Sequence, residues 1–225
     1  YMKEVEVVVG LNPFRNLDIS KFTGLKLVQL STAGIDQISP EQMDYIESND
    51  IILANHKGGY GIPIGEWIVM NILQLSRNTR QFHENQRDGQ WKLLLDIDEV
   101  YGKTVTILGT GNIAIEAAKR LKAFEVKLIG VNTDGRAVEY FDNCYSIKDM
   151  NKALAQGDYV VVTLPNTDDT NHLLNETALA AMKKGSYLVN ISRGRVIDEE
   201  ALIKFLDSGH IKAAALDVFT QEPLP

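Results

Sequence analysis

The segment Gly109-Thr110-Gly111-Asn112-Ile113-Ala114 constrains this chain more than any other stretch. It follows the apolar run Val105-Thr106-Ile107-Leu108 and opens a helical pattern over 112–124. A G-x-G-x-x-A run between strand and helix has a mechanical reading. The first glycine allows the tight turn. The second lacks the Cβ that would hold a diphosphate away from the backbone, and the third small residue lets helix and strand pack closely. The helix amino end then offers unpaired N–H groups and the positive end of its dipole to an anion. Gly109, Gly111, Asn112 and Ile113 are therefore the expected phosphate contacts of a dinucleotide. Two other readings fit the loop taken alone: a glycine turn that binds nothing, and the similar loop of a methyltransferase.

The sequence around the loop alternates in the same sense. Strands are predicted at 5–9, 26–30 and 51–54. Ser39-Pro40-Glu41-Gln42 carries a Ser N-cap, Pro at the first helical position and Gln at the third, a capping box that starts a helix between the last two strands. That is βαβ logic and implies a parallel sheet. Gly58-Gly59-Tyr60-Gly61-Ile62-Pro63 reads as a loop. One long helix is predicted after it, over 64–86, as a connector from a first domain, 1–72, to a second, 73–225. Asp88-Gly89-Gln90-Trp91 breaks it. Leu93-Leu94-Leu95 follows outside any period, either as a subunit contact or as a patch buried in the same chain. Strands at 104–108, 126–131, 159–163, 187–191 and 212–216 then alternate with helices at 112–124, 147–155, 175–182 and 198–206, with Asn175 and Asp198 as caps. The expected fold is α/β: a doubly wound parallel sheet of the Rossmann type for the cofactor, plus a smaller flavodoxin-like domain. A chain that opens directly on a strand is expected to have been trimmed at its amino end.

Composition narrows the partners. Asp plus Glu is 30 against 23 Lys plus Arg, a formal charge of −7, which argues against a nucleic-acid binder but leaves room for a local basic pocket. Cys144 is the single cysteine, so no internal disulfide can form and a cytoplasmic, reducing setting is expected. Its reading is an ordinary semi-buried thiol. No apolar run is long enough to cross a bilayer, so no membrane partner is expected, and no metal site either.

Four segments in order give the chain a family resemblance. Gly102-Lys103-Thr104-Val105 through the glycine loop to Leu121-Lys122-Ala123-Phe124 resembles the cofactor loop of the D-2-hydroxyacid dehydrogenases. Asn190-Ile191-Ser192-Arg193-Gly194, with Val196-Ile197-Asp198-Glu199, is similar to that family's arginine segment. Ala215-Leu216-Asp217-Val218-Phe219-Thr220-Gln221-Glu222-Pro223-Leu224-Pro225 is similar to its glutamate segment. Ser31-Thr32-Ala33-Gly34-Ile35-Asp36 is similar to its substrate loop. The methyltransferase reading predicts neither of the last two cofactor-domain segments and drops out.

The resemblance implies an oxidoreductase that moves a hydride between NAD or NADP and a small 2-hydroxy or 2-oxo acid. It implies Arg193 as the grip on the acid and Glu222 as partner of a catalytic histidine. It implies Asp217 at the nicotinamide carboxamide, with Ser192 in the cofactor set, and Leu164, Pro165 and Thr170 on the adenosine side. Ala33 and Gly34 would give backbone N–H groups to the substrate carboxylate, and a homodimer would form through 82–100. An alternative is a dinucleotide-sensing, corepressor-like binding protein, as some relatives of this fold are.

Two departures bear on chemistry. The resemblance puts the histidine downstream of Glu222 in a Pro-His setting, and none of His56, His83, His172 and His210 follows a proline. The 225-residue chain is therefore expected to be incomplete at its carboxyl end too. It is also expected not to perform the full reaction, because no general acid remains to protonate the carbonyl oxygen as hydride arrives, and such a group is typically worth about 10²–10⁴ in rate. His56 and Lys57 could shape a substrate pocket, His210 reads as a helix-end cation, and Lys57 and Arg77 could serve a phosphorylated acid. Secondly, counting from Gly109 puts Asn132 where NAD-specific members carry an acidic residue. An aspartate there would repel a 2′-phosphate by roughly 4 kcal/mol at about 4 Å and an effective dielectric near 20. Asn132, Thr133 and Arg136 therefore lean the expectation slightly toward NADP, with Asp134 able to restore NAD. Ala114 in place of glycine carries no functional meaning.

Overall fold

The computed structural model describes residues 1–224. The chain forms two compact units, Tyr1–Tyr60 and Gly61–Pro225.

In the first unit, strands β1 (Val7–Gly10), β2 (Leu27–Leu30) and β3 (Ile52–Ala54) make a parallel sheet in that order, with Val7 opposite Leu27 and Leu27 opposite Ile52. Helix α1 (Pro40–Ser48) joins β2 to β3. Its predicted capping box is present: the Gln42 N–H donates to Ser39 Oγ, and the Ser39 N–H donates to Gln42 Oε1. The core of this unit gathers Phe14, Phe22, Val28, Leu30 and Ile46.

The second unit begins with α2 (Gly61–Ser76) and α3 (Thr79–Arg87). The sequence predicts one helix over 64–86, and the structure has two. Asn78 adopts the left-handed conformation (φ 47°), which ends one helical path and starts another. The expected domain division at 72/73 falls inside α2, whereas the compact units divide at 60/61. Burial explains the difference. Ile68 and Ile72 of α2 are fully buried in the same core as Ala114, Ala117 and Ala118, so the connector helix is a packed layer of the second unit.

From there the chain runs β4 (Thr104–Leu108), α4 (Asn112–Leu121), β5 (Lys127–Asn132), β6 (Asn143–Ser146), α5 (Met150–Leu154), β7 (Tyr159–Val162), α6 (Glu176–Ala181), β8 (Ser186–Asn190), α7 (Glu199–Asp207) and β9 (Ile211–Leu216). The six strands are all parallel, in the order β6-β5-β4-β7-β8-β9. One core lies under α2 and α4. The other carries Met150, Leu154, Leu179 and Leu202 from α5, α6 and α7. Helices on both faces of a parallel sheet make it doubly wound, as expected. Asn175 and Asp198 cap α6 and α7 through the N–H groups of Ala178 and Ala201. Strand β6 is an addition to the expected set.

Among the described residues no helix is long and apolar enough to cross a membrane. Leu93 and Leu95 are 82% and 83% exposed, so burial within the same chain is not what covers them.

Candidate functional site

Strand order reverses between β4 and β7, and in such sheets ligands bind outside the carboxyl ends of the strands at that point. The expected cofactor and catalytic residues of the second unit collect along this edge. Gly109 follows β4, Asn132 ends β5 and Leu164 comes just after β7. Arg193 follows β8, and Asp217 follows β9. Parallel strands separated by helices return every carboxyl end to one side, which is why residues over 100 positions apart in sequence share it.

The glycine loop is built as its pattern requires. Gly109 sits at φ +91°, and a Cβ there would lie 2.8 Å from Thr163 Oγ1. Its N–H donates to the Val131 carbonyl at 2.8 Å. The Thr163 hydroxyl donates to the Leu108 and Gly109 carbonyls at 3.0 and 3.3 Å, so Thr163 pins the turn from the neighbouring strand. Gly111 is the N-cap of α4, and a Cβ built on it would meet nothing within 4 Å. Open space in front of a helix amino end, bounded by Asn112 and Ile113, fits a diphosphate. In the loop after Leu164, Thr170 donates to the Pro165 carbonyl at 2.7 Å and accepts the Thr167 N–H at 2.8 Å, which fixes the loop.

Asn132 occupies its predicted place at the end of β5, but its side chain faces inward. It is 8% exposed. Its amide donates to Thr110 Oγ1 (3.3 Å) and the Arg136 carbonyl (2.9 Å), and its oxygen accepts the Gly135 N–H (2.7 Å). It ties the 132–136 loop to the glycine loop. Thr133 and Arg136 are exposed, and Arg136 Nη1 meets Asp134 Oδ1 at 3.0 Å.

Asn190 organises the arginine segment, and sequence reasoning gave it no role. Its Oδ1 accepts both the N–H (3.0 Å) and the hydroxyl (2.7 Å) of Ser192. Its amide donates to the Arg193 carbonyl (3.2 Å), and its own carbonyl accepts the Asp217 N–H (3.0 Å). The available signal was a polar residue closing the apolar run Tyr187-Leu188-Val189, since a buried amide needs partners. Ser192 is buried and its hydroxyl is committed to this turn. Arg193 is half-buried, with Nη1 donating to the Ser192 carbonyl at 2.7 Å.

Gly194 admits no side chain: a Cβ would fall 1.9 Å from the Phe219 carbonyl carbon and 2.2 Å from Thr220 N. The arginine and glutamate segments are thereby pressed backbone to backbone. Glu222 is exposed and its Oε1 accepts the Phe219 N–H at 2.8 Å, while Glu199 Oε1 takes the Thr220 N–H at 2.6 Å.

In the first unit, the carbonyls of Ala33 and Gly34 are taken by Asn55 (2.8 Å) and Thr32 (2.9 Å). His56 is exposed and packs edge-on against Tyr60.

Other candidates go elsewhere. The His210 ring bonds the Met182 carbonyl at 2.9 Å, beside the start of β9, so it serves the end of α6 and not the end of its own helix. Arg77 follows Ser76, whose hydroxyl meets Tyr159 at the amino end of β7 at 2.7 Å. That places it at the opposite edge of the sheet, on a groove with Val69, Met70 and Leu73, away from any acid held by Arg193.

Comparison with known proteins points the same way. Residues 69–225 match the family described as D-isomer specific 2-hydroxyacid dehydrogenase, NAD binding domain. A glyoxylate reductase of Thermofilum pendens is 36% identical over 208 residues, covering 89% of this chain and 60% of the relative. A D-3-phosphoglycerate dehydrogenase of Methanocaldococcus jannaschii is 32% identical, covering 99% and 43%. A glyoxylate reductase of Pyrococcus horikoshii is 33% identical, covering 99% and 69%. The chain thus spans about half the length of the first two. Among solved structures, a D-isomer specific 2-hydroxyacid dehydrogenase family protein from Aeromonas salmonicida matches with a TM-score of 0.88 at 32% identity, over 100% of this chain and 71% of that one. Another, from Xanthobacter autotrophicus in complex with NADPH and MES, matches at 0.81 and 29%, over 100% and 70%.

Proposed function

The chain belongs to the D-isomer specific 2-hydroxyacid dehydrogenase family, and on that footing we propose that it serves reversible hydride transfer between NAD(P) and C2 of a small D-2-hydroxy or 2-oxo acid. The carrying observation is Arg193, held by the Asn190 turn at the carboxyl end of β8. A guanidinium keeps its charge and offers paired donors in a fixed fork, which suits a carboxylate with a carbonyl beside it. The bound nicotinamide supplies or takes up the hydride.

The chain's own residues bind and orient. Gly109, Gly111, Asn112 and Ile113 hold the diphosphate, and Leu164, Pro165 and Thr170 line the adenosine side. Asp217 takes the carboxamide, while Thr133 and Arg136 face the ribose. Asn132 and Ser192 act by shaping the loops that carry these groups. Glu222 is a positioning residue for an imidazole, whose charged form a nearby carboxylate favours. In the first unit, the N–H groups of Ala33 and Gly34 are donors of the kind a carboxylate accepts. We propose NADP as the preferred cofactor, because Asn132 brings no negative charge to the end of β5.

The relatives named above are reductases and dehydrogenases, which favours hydride transfer over a purely sensing role. We further propose a cytoplasmic homodimer formed through 82–100, where Trp91, Leu93 and Leu95 are exposed.

The test is ternary binding. The chain is loaded with NADH and titrated with glyoxylate or oxamate while the nicotinamide fluorescence is followed. Arg193→Gln should weaken acid binding by roughly tenfold to a hundredfold, the scale of charge-assisted hydrogen bonds, while NADH still binds. Equal acid binding by both chains would overturn the proposal.

A further inference from the structure

We propose that Asp134 sets how strongly this chain separates NADP from NAD, by occupying Arg136 where a 2′-phosphate would bind. The inference rests on the cofactor reading above, with the 132–136 loop facing the adenosine ribose. That loop is rigid. Asn132 holds it through the Gly135 N–H and the Arg136 carbonyl. Gly135 sits at φ +80° with its Cβ position 3.0 Å from Ser146 N, so the loop is also backed against β6. Asn132 is consumed in this construction, which leaves the exposed side chains to meet a ribose substituent.

Of these, Arg136 carries the positive charge, and Asp134 already holds it. One carboxylate oxygen, Oδ1, accepts both the Arg136 guanidinium (3.0 Å) and the Arg136 N–H (3.2 Å). That backbone N–H is the main cause holding the Asp134 carboxyl below its usual range, so it is ionised at neutral pH. The two side chains are 63% and 59% exposed, and a pair in that setting opens easily. A 2′-phosphate can therefore displace Asp134, but it then sits beside a carboxylate that offsets much of the attraction. A 2′-hydroxyl meets no such opposition. The native loop accepts both cofactors with a small difference, and the charge at 134 fixes its size.

Calorimetric titration of NADP, NAD, 2′,5′-ADP and 5′-AMP into the chain, Asp134→Asn and Arg136→Ala tests this. Asparagine keeps an acceptor for the Arg136 N–H and removes only the charge. Asp134→Asn should bind NADP and 2′,5′-ADP about five- to tenfold tighter, with NAD and 5′-AMP within about twofold. Arg136→Ala should weaken the phosphorylated ligands about tenfold. The Asp134→Asn gain should shrink in about 0.5 M salt. An unchanged NADP-to-NAD ratio in Asp134→Asn, or equal movement of both, overturns the role of Asp134 and leaves the cofactor reading standing. A wild-type chain that binds none of the four overturns both.

Discussion

Asn190 shows how a single buried amide can govern a charged side chain it does not touch. It is 1% exposed, and its side chain is spent on Ser192 and on the Arg193 carbonyl. Asn190→Ala would leave the buried Ser192 hydroxyl and N–H without an acceptor. A lost acceptor of this kind costs about 1–3 kcal/mol. The melting temperature should fall by several degrees, and acid affinity should fall with it as the arginine segment loosens. Ser192→Ala removes a donor and keeps the amide oxygen on the Ser192 N–H, so it should cost much less. If both variants melt alike, the turn is not held by Asn190. Gly109 was legible in the sequence because its φ of +91° leaves few substitutes for a glycine there. The role of Asn190 was not, because hydrogen-bond partners in a turn are fixed by folding.

At the scale of elements, the amino ends of β7, β8 and β9 carry a polar clasp opposite the site. Tyr159 and Tyr187 stack at 5.0 Å, and the Tyr187 hydroxyl donates to Asp98 at 2.7 Å. Lys212 donates to Asp96 at 2.6 Å and to Asp98 at 3.0 Å. The Tyr187 hydrogen bond, then Lys212, holds the Asp98 carboxyl below its usual range against burial. Burial, then the bond to Asp98, pushes Tyr187 up to about 12, so it remains a donor. Burial opposes the charge on Lys212, but its bonds to Asp96, Tyr187 and Asp98 prevail and raise its pKa. The sign follows from Asp98: a carboxyl depressed in the folded state adds stability above its ordinary pKa and loses it as pH falls through the depressed value. Asp98→Asn should therefore be less stable than wild type at pH 7, by about 1–2 kcal/mol, and the gap should close as pH falls through the depressed Asp98 value. Denaturant melts across pH measure it, and a gap independent of pH would exclude an ionic clasp. Elements with strong apolar period and cap chemistry, such as α6, α7 and the central strands, were legible from sequence. Strand β6 was not: Asn143-Cys144-Tyr145-Ser146 has no apolar run, and pairing with β5 alone makes it a strand. The break at Asn78 was equally hidden, because no glycine or proline marks it and the backbone turns at an asparagine.

At the scale of the whole molecule, the unresolved demand is an apolar segment with nothing of its own chain over it. Trp91, Leu93 and Leu95 are 102%, 82% and 83% exposed, on the stretch between α3 and β4. The same stretch is tied down further along, where the Asp98 N–H donates to the Ser76 carbonyl at 2.7 Å and the clasp takes the Asp98 carboxylate. A segment anchored at its base with apolar side chains outward is placed to meet another surface. Burying a leucine side chain contributes about 1.5–3 kcal/mol, so two leucines and a tryptophan from each of two copies outweigh much of the entropy lost on association. The proposed homodimer covers them symmetrically, each copy giving and receiving the same patch. Leu93→Glu with Leu95→Glu would place four carboxylates in that contact. The wild-type chain should scatter light as a dimer at micromolar concentration and the double variant as a monomer. The far-ultraviolet circular dichroism should be unchanged, because neither leucine supports the fold of its own chain. A wild-type monomer would overturn the homodimer, and a double variant that stays dimeric would move the interface elsewhere and leave the exposed leucines to another partner.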